Sequence, residues 1–327
     1  MVKIAIIGSG LAGISTALLL KDQADITLFE KARGVSGRMS TRMAGPYLFD
    51  HGTQYFTVRT DAFRSFVHPL LDAGVIARWN ANYVELDRNK IIKYKDWAKE
   101  EPRYVGVPRM NSVNKYLARN LKIKVNTKIK KLEKGATWSL LDDEGNKYSE
   151  FDWVITAIPP RQVAELLPDS FKYHGDIKKI KMHPSFSLML GFKKELNIDF
   201  DAAKIINSDI SWVSIDSRKP FRNNCFAVIA QSSAEYAAQN IRGERTHVMD
   251  HLIQETSDVL SQDLKSAVHE NIHGWLYANA VDQGKNVEFV DIDEKLAVCG
   301  DWCCGGRVEG AFLSAYNLAK IFKEHYF

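Results

Sequence analysis

Cysteine is scarce in this chain: four in 327 residues, two of them the adjacent Cys303 and Cys304. That excludes a disulfide framework and a paired zinc-ligand pattern, and the absence of Cys-x-x-Cys excludes a disulfide relay. The expected state is reduced thiols in a cytoplasmic protein. No sign of charge dominates either. Lys and Arg number 44 against 40 Asp and Glu, a net charge of +4. So small a balance points to neither nucleic acid nor a membrane surface. Long apolar runs are missing as well. The one uncharged stretch, Ile4 to Leu20, is too short to span a bilayer comfortably and contains Gly8, Gly10 and Gly13. No small-residue cleavage site follows it, so it does not read as a signal peptide. Low-complexity sequence is lacking too. With 45% apolar and 26% charged residues, the chain can build a sizeable core in two domains or one large one.

Two tempting patterns carry little. Lys122, Lys124, Lys128 and Lys130 alternate with Ile123, Val125 and Ile129. That is a period-two strand with one solvated face, and it lacks the interleaved aromatics of a nucleic-acid surface. His247 and His251 stand at helical spacing, but Val248 follows the first where a zincin has Glu, and no metal is expected. There Met249, Leu252, Ile253, Thr256 and Leu260 form the apolar stripe of a helix, with the histidines opposite.

The chemistry begins at the N-terminus. Val2 to Ile7 (VKIAII) reads as a strand buried on both faces. Gly8-Ser9-Gly10-Leu11-Ala12-Gly13 opens a helix running to Leu20, and a second strand, Asp25 to Phe29, ends at Glu30. Each glycine has a physical task in a βαβ dinucleotide site. Gly8 allows the tight turn, Gly10 lets backbone approach a pyrophosphate, and Gly13 lets helix pack on strand. The helix N-terminus offers free N–H groups and the positive end of its dipole. Glu30 would accept from the adenosine ribose hydroxyls, and an acid there argues against a 2′-phosphate.

After Glu30 the chain continues through Lys31 and Arg33 to Gly37-Arg38-Met39-Ser40-Thr41, and then to Asp50-His51-Gly52-Thr53-Gln54-Tyr55-Phe56-Thr57. Gly106 to Ser112 leads into a helix, Val113 to Asn120. Asp142 to Gly145 is a hairpin turn between Trp138–Leu141 and Lys147–Phe151. Lys93 to Arg103 reads as a charged loop. Asp152 to Pro160 contains a further strand. Further strands are expected at Ser185–Phe192, Ile210–Ile215, Phe226–Gln231 and Asn271–Asn279. In the last, His273, Trp275, Tyr277 and Asn279 share one face, amphipathic and aromatic as a wall over a planar cofactor would be. Near the C-terminus, Leu296–Cys299 is a strand, followed by Gly300-Asp301-Trp302-Cys303-Cys304-Gly305-Gly306-Arg307-Val308-Glu309-Gly310-Ala311 and a helix.

Together these stretches, with Trp275-Leu276-Tyr277-Ala278, Ser211-Trp212 and Ser217-Arg218-Lys219-Pro220, resemble bacterial renalases, a branch of the two-domain flavoproteins of the amine-oxidase superfamily. The resemblance runs end to end and is loosest from 161 to 270. One departure is Ser36, where the family has a second glycine before Gly37 and Arg38. It implies an α/β fold: a Rossmann-type FAD-binding domain from 1–60, 105–160 and 291–327, with an inserted α+β substrate domain from 61–104 and 161–290 built on an antiparallel sheet. It implies FAD held non-covalently, since monoamine oxidases place their linking cysteine elsewhere. Pyrophosphate contacts fall to Gly37 and Arg38. Further cofactor contacts fall to Gly8, Ser9, Gly10, Leu11, Ala12 and Gly13, to Glu30, Lys31, Arg33 and Met39, and to His51, Gly52, Thr53 and Gln54. Ile129, Ala157, Gly300, Asp301, Arg307, Val308, Glu309, Gly310 and Ala311 complete them, with the last helix aimed at the flavin N1–C2=O edge.

The implied activity is oxidation of a dihydronicotinamide, a 2- or 6-dihydro isomer of NAD(P)H. Hydride passes to flavin N5, NAD(P)⁺ leaves, and O2 reoxidises the flavin to give hydrogen peroxide. No second dinucleotide fingerprint stands in the chain for a separate reductant, so the substrate supplies the electrons. The substrate leaves as an aromatic cation, so orientation does most of the work. Gln54, Tyr55, Trp275 and Tyr277 are the expected pocket walls, with His273 and His51 as polar contacts. Two other readings stand beside it. One is an amine oxidase acting on a primary amine or polyamine, for which no motif locates a lysine near the flavin. The other is a non-catalytic binding protein on the same fold. The expected partners are a small molecule and O2, without nucleic acid or membrane; the oligomeric state is left open.

Overall fold

The computed structural model describes residues 1–281 and 287–326. The VKIAII run forms the strand Val2–Ile7 at the centre of a six-stranded sheet, ordered Ile123–Lys124, Ala24–Phe29, Val2–Ile7, Trp153–Thr156, Leu296–Val298, Phe289–Asp291. All pairs are parallel except the last. A parallel sheet is covered on both faces. On one face helix Leu11–Leu20 packs with helix Arg307–His325, through Ile14, Ala17 and Leu20 against Leu318, Ala319 and Phe322. On the other face lie the three-stranded antiparallel sheet Ile129–Lys134, Trp138–Asp142, Lys147–Phe151 and the short helix Pro160–Leu166.

A second sheet has seven strands, ordered His269–Ala280, Met182–Gly191, Ala227–Ser232, Ile210–Ile215, Ala202–Ile206, Asn82–Asp87, Lys90–Asp96. Helix Arg245–Leu260 covers one face through Val248, Leu252 and Val259. Its neighbour pairs are antiparallel but for Ala202–Ile206 with Asn82–Asp87. Those two strands are more than a hundred residues apart in the chain, a connection long enough for a parallel crossover.

Two expectations need correction. The charged stretch from Lys93 is not a loop: Lys90–Asp96 is an edge strand and Arg103–Gly106 another strand. The first is exposed almost throughout, so no burial pattern marked it. The run from Leu121 to Lys134 is not one strand. A left-handed turn at Asn126 (φ 52°) splits it between two sheets. Within 161–290 every strand pair is antiparallel, as expected; the parallel pair joins Ala202–Ile206 to Asn82–Asp87 of the 61–104 segment. The pair His247 and His251 is spent on carboxylates, His247 on Glu244 and His251 on Asp209 at 2.8 Å. No cluster of three metal-ligating side chains occurs among the described residues, and no helix among them is long and apolar enough to cross a membrane.

Candidate active site

The glycine-rich turn is built as its spacing requires. Gly8 adopts φ +106° and its N–H donates to the Phe29 carbonyl at 2.8 Å. A Cβ on Gly13 would stand 2.1 Å from the Gly8 carbonyl oxygen, so only glycine lets the helix come this close. At Gly10 a Cβ would meet nothing within 4 Å. The helix it starts has neither a side-chain cap nor an acid in its first turn. These open amides fit a pyrophosphate. Glu30 is buried beside them. One oxygen accepts from the Ser9 N–H (3.0 Å) and hydroxyl (2.8 Å), the other from the Ala32 N–H (2.8 Å). Ala157 follows the neighbouring strand Trp153–Thr156, its N–H on the Ile7 carbonyl, and its methyl group lies against Gly13.

Arg38 acquires a partner that spacing could not reveal. Its guanidinium is bidentate on Asp301 (2.9 and 2.5 Å) and also donates to the Ala278 carbonyl at 3.1 Å. One side chain thus joins the N-terminal motif, the strand His269–Ala280 and the C-terminal motif. Beside it Gly37 is left-handed (φ +54°) and its Cβ position lies 3.3 Å from Gly10, while Met39 is buried. The Thr53 N–H donates to the Arg38 carbonyl at 2.8 Å. A Cβ on Gly52 would stand 1.9 Å from that same oxygen.

The aromatic face of His269–Ala280 meets the 50–54 segment directly. The Trp275 indole N–H donates to the His51 carbonyl at 2.8 Å, and the His51 ring stacks on the indole at 5.4 Å and 24°. His273 packs edge-on to both, 5.0 Å from His51 and 4.4 Å from Trp275. Burial lowers the pKa of each histidine to about 4. His273 and Arg42 lower His51 further, and Arg42 and Arg245 lower His273. Both rings are neutral at pH 7. Because the unfolded histidines bind protons from about pH 6.5 downward and the folded ones only near 4, stability is full above 6.5 and falls as the pH drops toward 4. The melting temperature is expected to decline over that window, and His273→Gln to flatten the decline in a thermal-shift series.

Tyr277, further along this face, is half-buried near Arg161, and burial raises its pKa. Tyr55 is also half-buried, its ring 5.0 Å from Trp97 and 5.6 Å from Trp212. Gln54 presents no free group. Its amide N–H groups reach the Asp50 (2.5 Å) and Gly52 (3.1 Å) carbonyls, and its oxygen accepts from Ser214 (2.8 Å) and Lys219 (3.2 Å). Lys31 and Arg33 are exposed beyond Glu30, and Ile129 is buried in the core under the parallel sheet.

The C-terminal motif closes the arrangement. The Gly300 N–H donates to Ser314, and Asp301 opens a short 3-10 turn. Helix Arg307–His325 begins after Gly306 without a side-chain cap. A Cβ on Gly310 would stand 2.6 Å from the Cys304 carbonyl oxygen. The Glu309 carboxylate is turned away from the helix start, onto the N–H groups of Arg59 (3.0 Å) and Thr60 (2.7 Å) and the Thr60 hydroxyl. Val308 and Ala311 pack beside Met39 and Tyr55, while Arg307 is exposed with φ +68°. The Cys303 thiol is fully buried, and burial pushes its pKa well up. That holds it as a thiol, a poor nucleophile.

The family model for flavin containing amine oxidoreductases matches residues 61–321, and one for NAD(P)-binding Rossmann-like domains matches 6–70. The chain belongs to the flavin-containing amine oxidoreductases. It is an FAD-dependent oxidoreductase. Solved structures carry the same fold at low identity. A protein assigned as a protoporphyrinogen oxidase from Exiguobacterium sp. 255-15 aligns with TM-score 0.78 at 11% identity, over 99% of each chain. Putrescine oxidase bound to putrescine aligns with TM-score 0.72 at 12% identity, over 99% of each. An oxidoreductase from Methanosarcina mazei gives 0.72 at 12%, over 97% of this chain and all of the other.

The spacing of motifs missed one part of this flavoprotein's site. Asp50, Asp216, Lys219 and Arg222 lie together fully buried behind Gln54. Lys219 and Arg222 sit in or beside the Ser217–Pro220 stretch, but nothing local distinguishes a buried lysine from a surface one.

Proposed function

We propose that the enzyme oxidises a dihydronicotinamide dinucleotide, a 2- or 6-dihydro isomer of NAD(P)H, to NAD(P)⁺ and delivers the electrons to O2 as hydrogen peroxide, as renalases do. The observation that carries this reading is the charge around the aromatic wall. His51 and His273 are neutral there, and the charges acting on His273 are Arg42 and Arg245. A protonated diamine would meet like charge, whereas a dinucleotide brings phosphates. The second reading is amine oxidation, which the aromatic pair Trp275 and Tyr277 would also serve.

In this reading the amides of Gly10 to Gly13 and the Arg38 guanidinium hold the FAD pyrophosphate, and Glu30 holds the adenosine ribose. Asp301 orients Arg38, and the uncapped start of Arg307–His325 offers its positive end to the isoalloxazine. FAD held by these residues would supply the hydride acceptor and the route for electrons to oxygen. Trp275, Tyr277 and Tyr55 orient the nicotinamide and exclude water, and no side chain need move a proton. Gln54 acts from behind, fixing the backbone of 50–54. We assign cofactor binding to 1–60, 105–160 and 291–327 and substrate binding to 61–104 and 161–290.

The test is product stoichiometry in air with 2-dihydro-NAD. One hydrogen peroxide per NAD⁺ formed supports the reading. Peroxide released only with putrescine or spermine replaces it by amine oxidation.

A further inference from the structure

Behind the 50–54 segment lie two acidic and two basic side chains with essentially no solvent contact: Asp50, Asp216, Lys219 and Arg222. Lys219 contacts Asp216 directly and stands 3.5 Å from Asp50, and Arg222 reaches Asp50 at 2.5 Å. The two acids and two bases balance. Burying them is costly unless every charge is met, so this much buried charge calls for a reason beyond stability. The reason lies in what the four groups hold. Asp216 accepts from the Asp50 N–H at 2.6 Å. Asp50 accepts from the Thr41 hydroxyl (2.6 Å) and the Met110 N–H (3.0 Å). Lys219 reaches the Gln54 carbonyl oxygen, and Gln54 in turn holds the Asp50 and Gly52 carbonyls. These bonds lead into the segments that carry Arg38, His51 and Gly52 and, through the Met110 N–H and the Gly106 and Pro108 carbonyls that Arg222 holds, into 106–110.

We propose that Asp50, Asp216, Lys219 and Arg222 form a charge-balanced positioning centre that holds the 50–54 segment against the cofactor side and sets the electrostatic environment of the flavin. Its members are positioning residues, acting through Gln54 and the backbone of 50–54. The proposal is independent of which substrate reduces the flavin. Besides the four members, the titratable group facing the centre is His51, neutral at neutral pH. The Trp79 ring, 5.5 Å from the Lys219 ammonium, covers the remaining side with an uncharged face.

The balance can be broken in either direction. Lys219→Met leaves two acids against Arg222, and Asp216→Asn leaves two bases against Asp50. The readout is the difference from wild type in flavin midpoint potential, titrated with sodium dithionite on the holoenzyme at one pH. Lys219→Met is expected to lower the potential and Asp216→Asn to raise it. The double variant Lys219→Met/Asp216→Asn, which again sets one acid against one base, should track the wild type. A structural role alone would move both single variants the same way or leave the double variant displaced, and either result overturns the proposal. Should one single variant fail to fold, the other together with the double variant decides. Dithionite needs no enzyme substrate, so this result stands apart from the dihydronicotinamide assignment.

Discussion

Gly52→Ala is expected to lower the melting temperature and release most of the FAD, whereas Gly10→Ala leaves the apoprotein's melting temperature unchanged and weakens only FAD binding. The two glycines differ in what a methyl group would meet. At Gly52 the obstacle is the Arg38 carbonyl oxygen, 1.9 Å away, with the Trp275 ring at 3.4 Å. Both segments are pinned, one by the Thr53 N–H on that oxygen and the other by the Trp275 N–H on the His51 carbonyl. Neither can yield without parting the 38–41 segment from 50–54. Overpacking of this kind costs about 1–3 kcal/mol, occasionally more. At Gly10 no protein atom is in the way. A methyl group there would take up space only where the pyrophosphate is assigned. Thermal melts of apo and FAD-loaded protein separate the cases. Equal behaviour of the two variants would contradict the cofactor placement.

Arg38→Met is expected to loosen FAD more than any other single side-chain change in the site. It removes the assigned cation from the pyrophosphate and strands the Asp301 carboxylate, which is 8% exposed and has Arg38 as its ion-pair partner. Arg38 is 31% exposed, so solvent screens part of the loss. A charged hydrogen bond lost at such a place costs about 1.5–3 kcal/mol, or roughly 10- to 150-fold in the dissociation constant. Arg38→Lys should recover only part of it, since an ammonium cannot match the bidentate geometry. Fluorescence titration of the apoprotein with FAD gives the constants. Wild-type affinity in Arg38→Met would mean the pyrophosphate lies elsewhere.

What the sequence reveals divides by range. Val2–Ile7 and Ile210–Ile215 form strands over the residues expected, because each is rich in β-branched and other apolar residues that suit a buried strand. The glycine turn is legible for the same reason: its constraints act within a few residues. The alternation along His269–Ala280 shows a shared face, but not that the face meets His51. The pairing of Arg38 with Asp301 spans 263 residues. The buried quartet draws on residues up to 172 apart. Aspartate, lysine and arginine look the same in a chain whether they face water or one another, and only the tertiary fold desolvates them. Lys90–Asp96 fails in the opposite way. As an exposed edge strand it is stabilised by pairing with Asn82–Asp87, and no apolar pattern records that.

The most direct test of the account is anaerobic mixing of the purified holoenzyme with 2-dihydro-NAD, with putrescine, spermine and benzylamine as parallel challenges, while the flavin absorbance is followed. The account predicts rapid bleaching by the dihydronicotinamide alone, with one NAD⁺ formed per flavin reduced. Bleaching by an amine and not by 2-dihydro-NAD would contradict it.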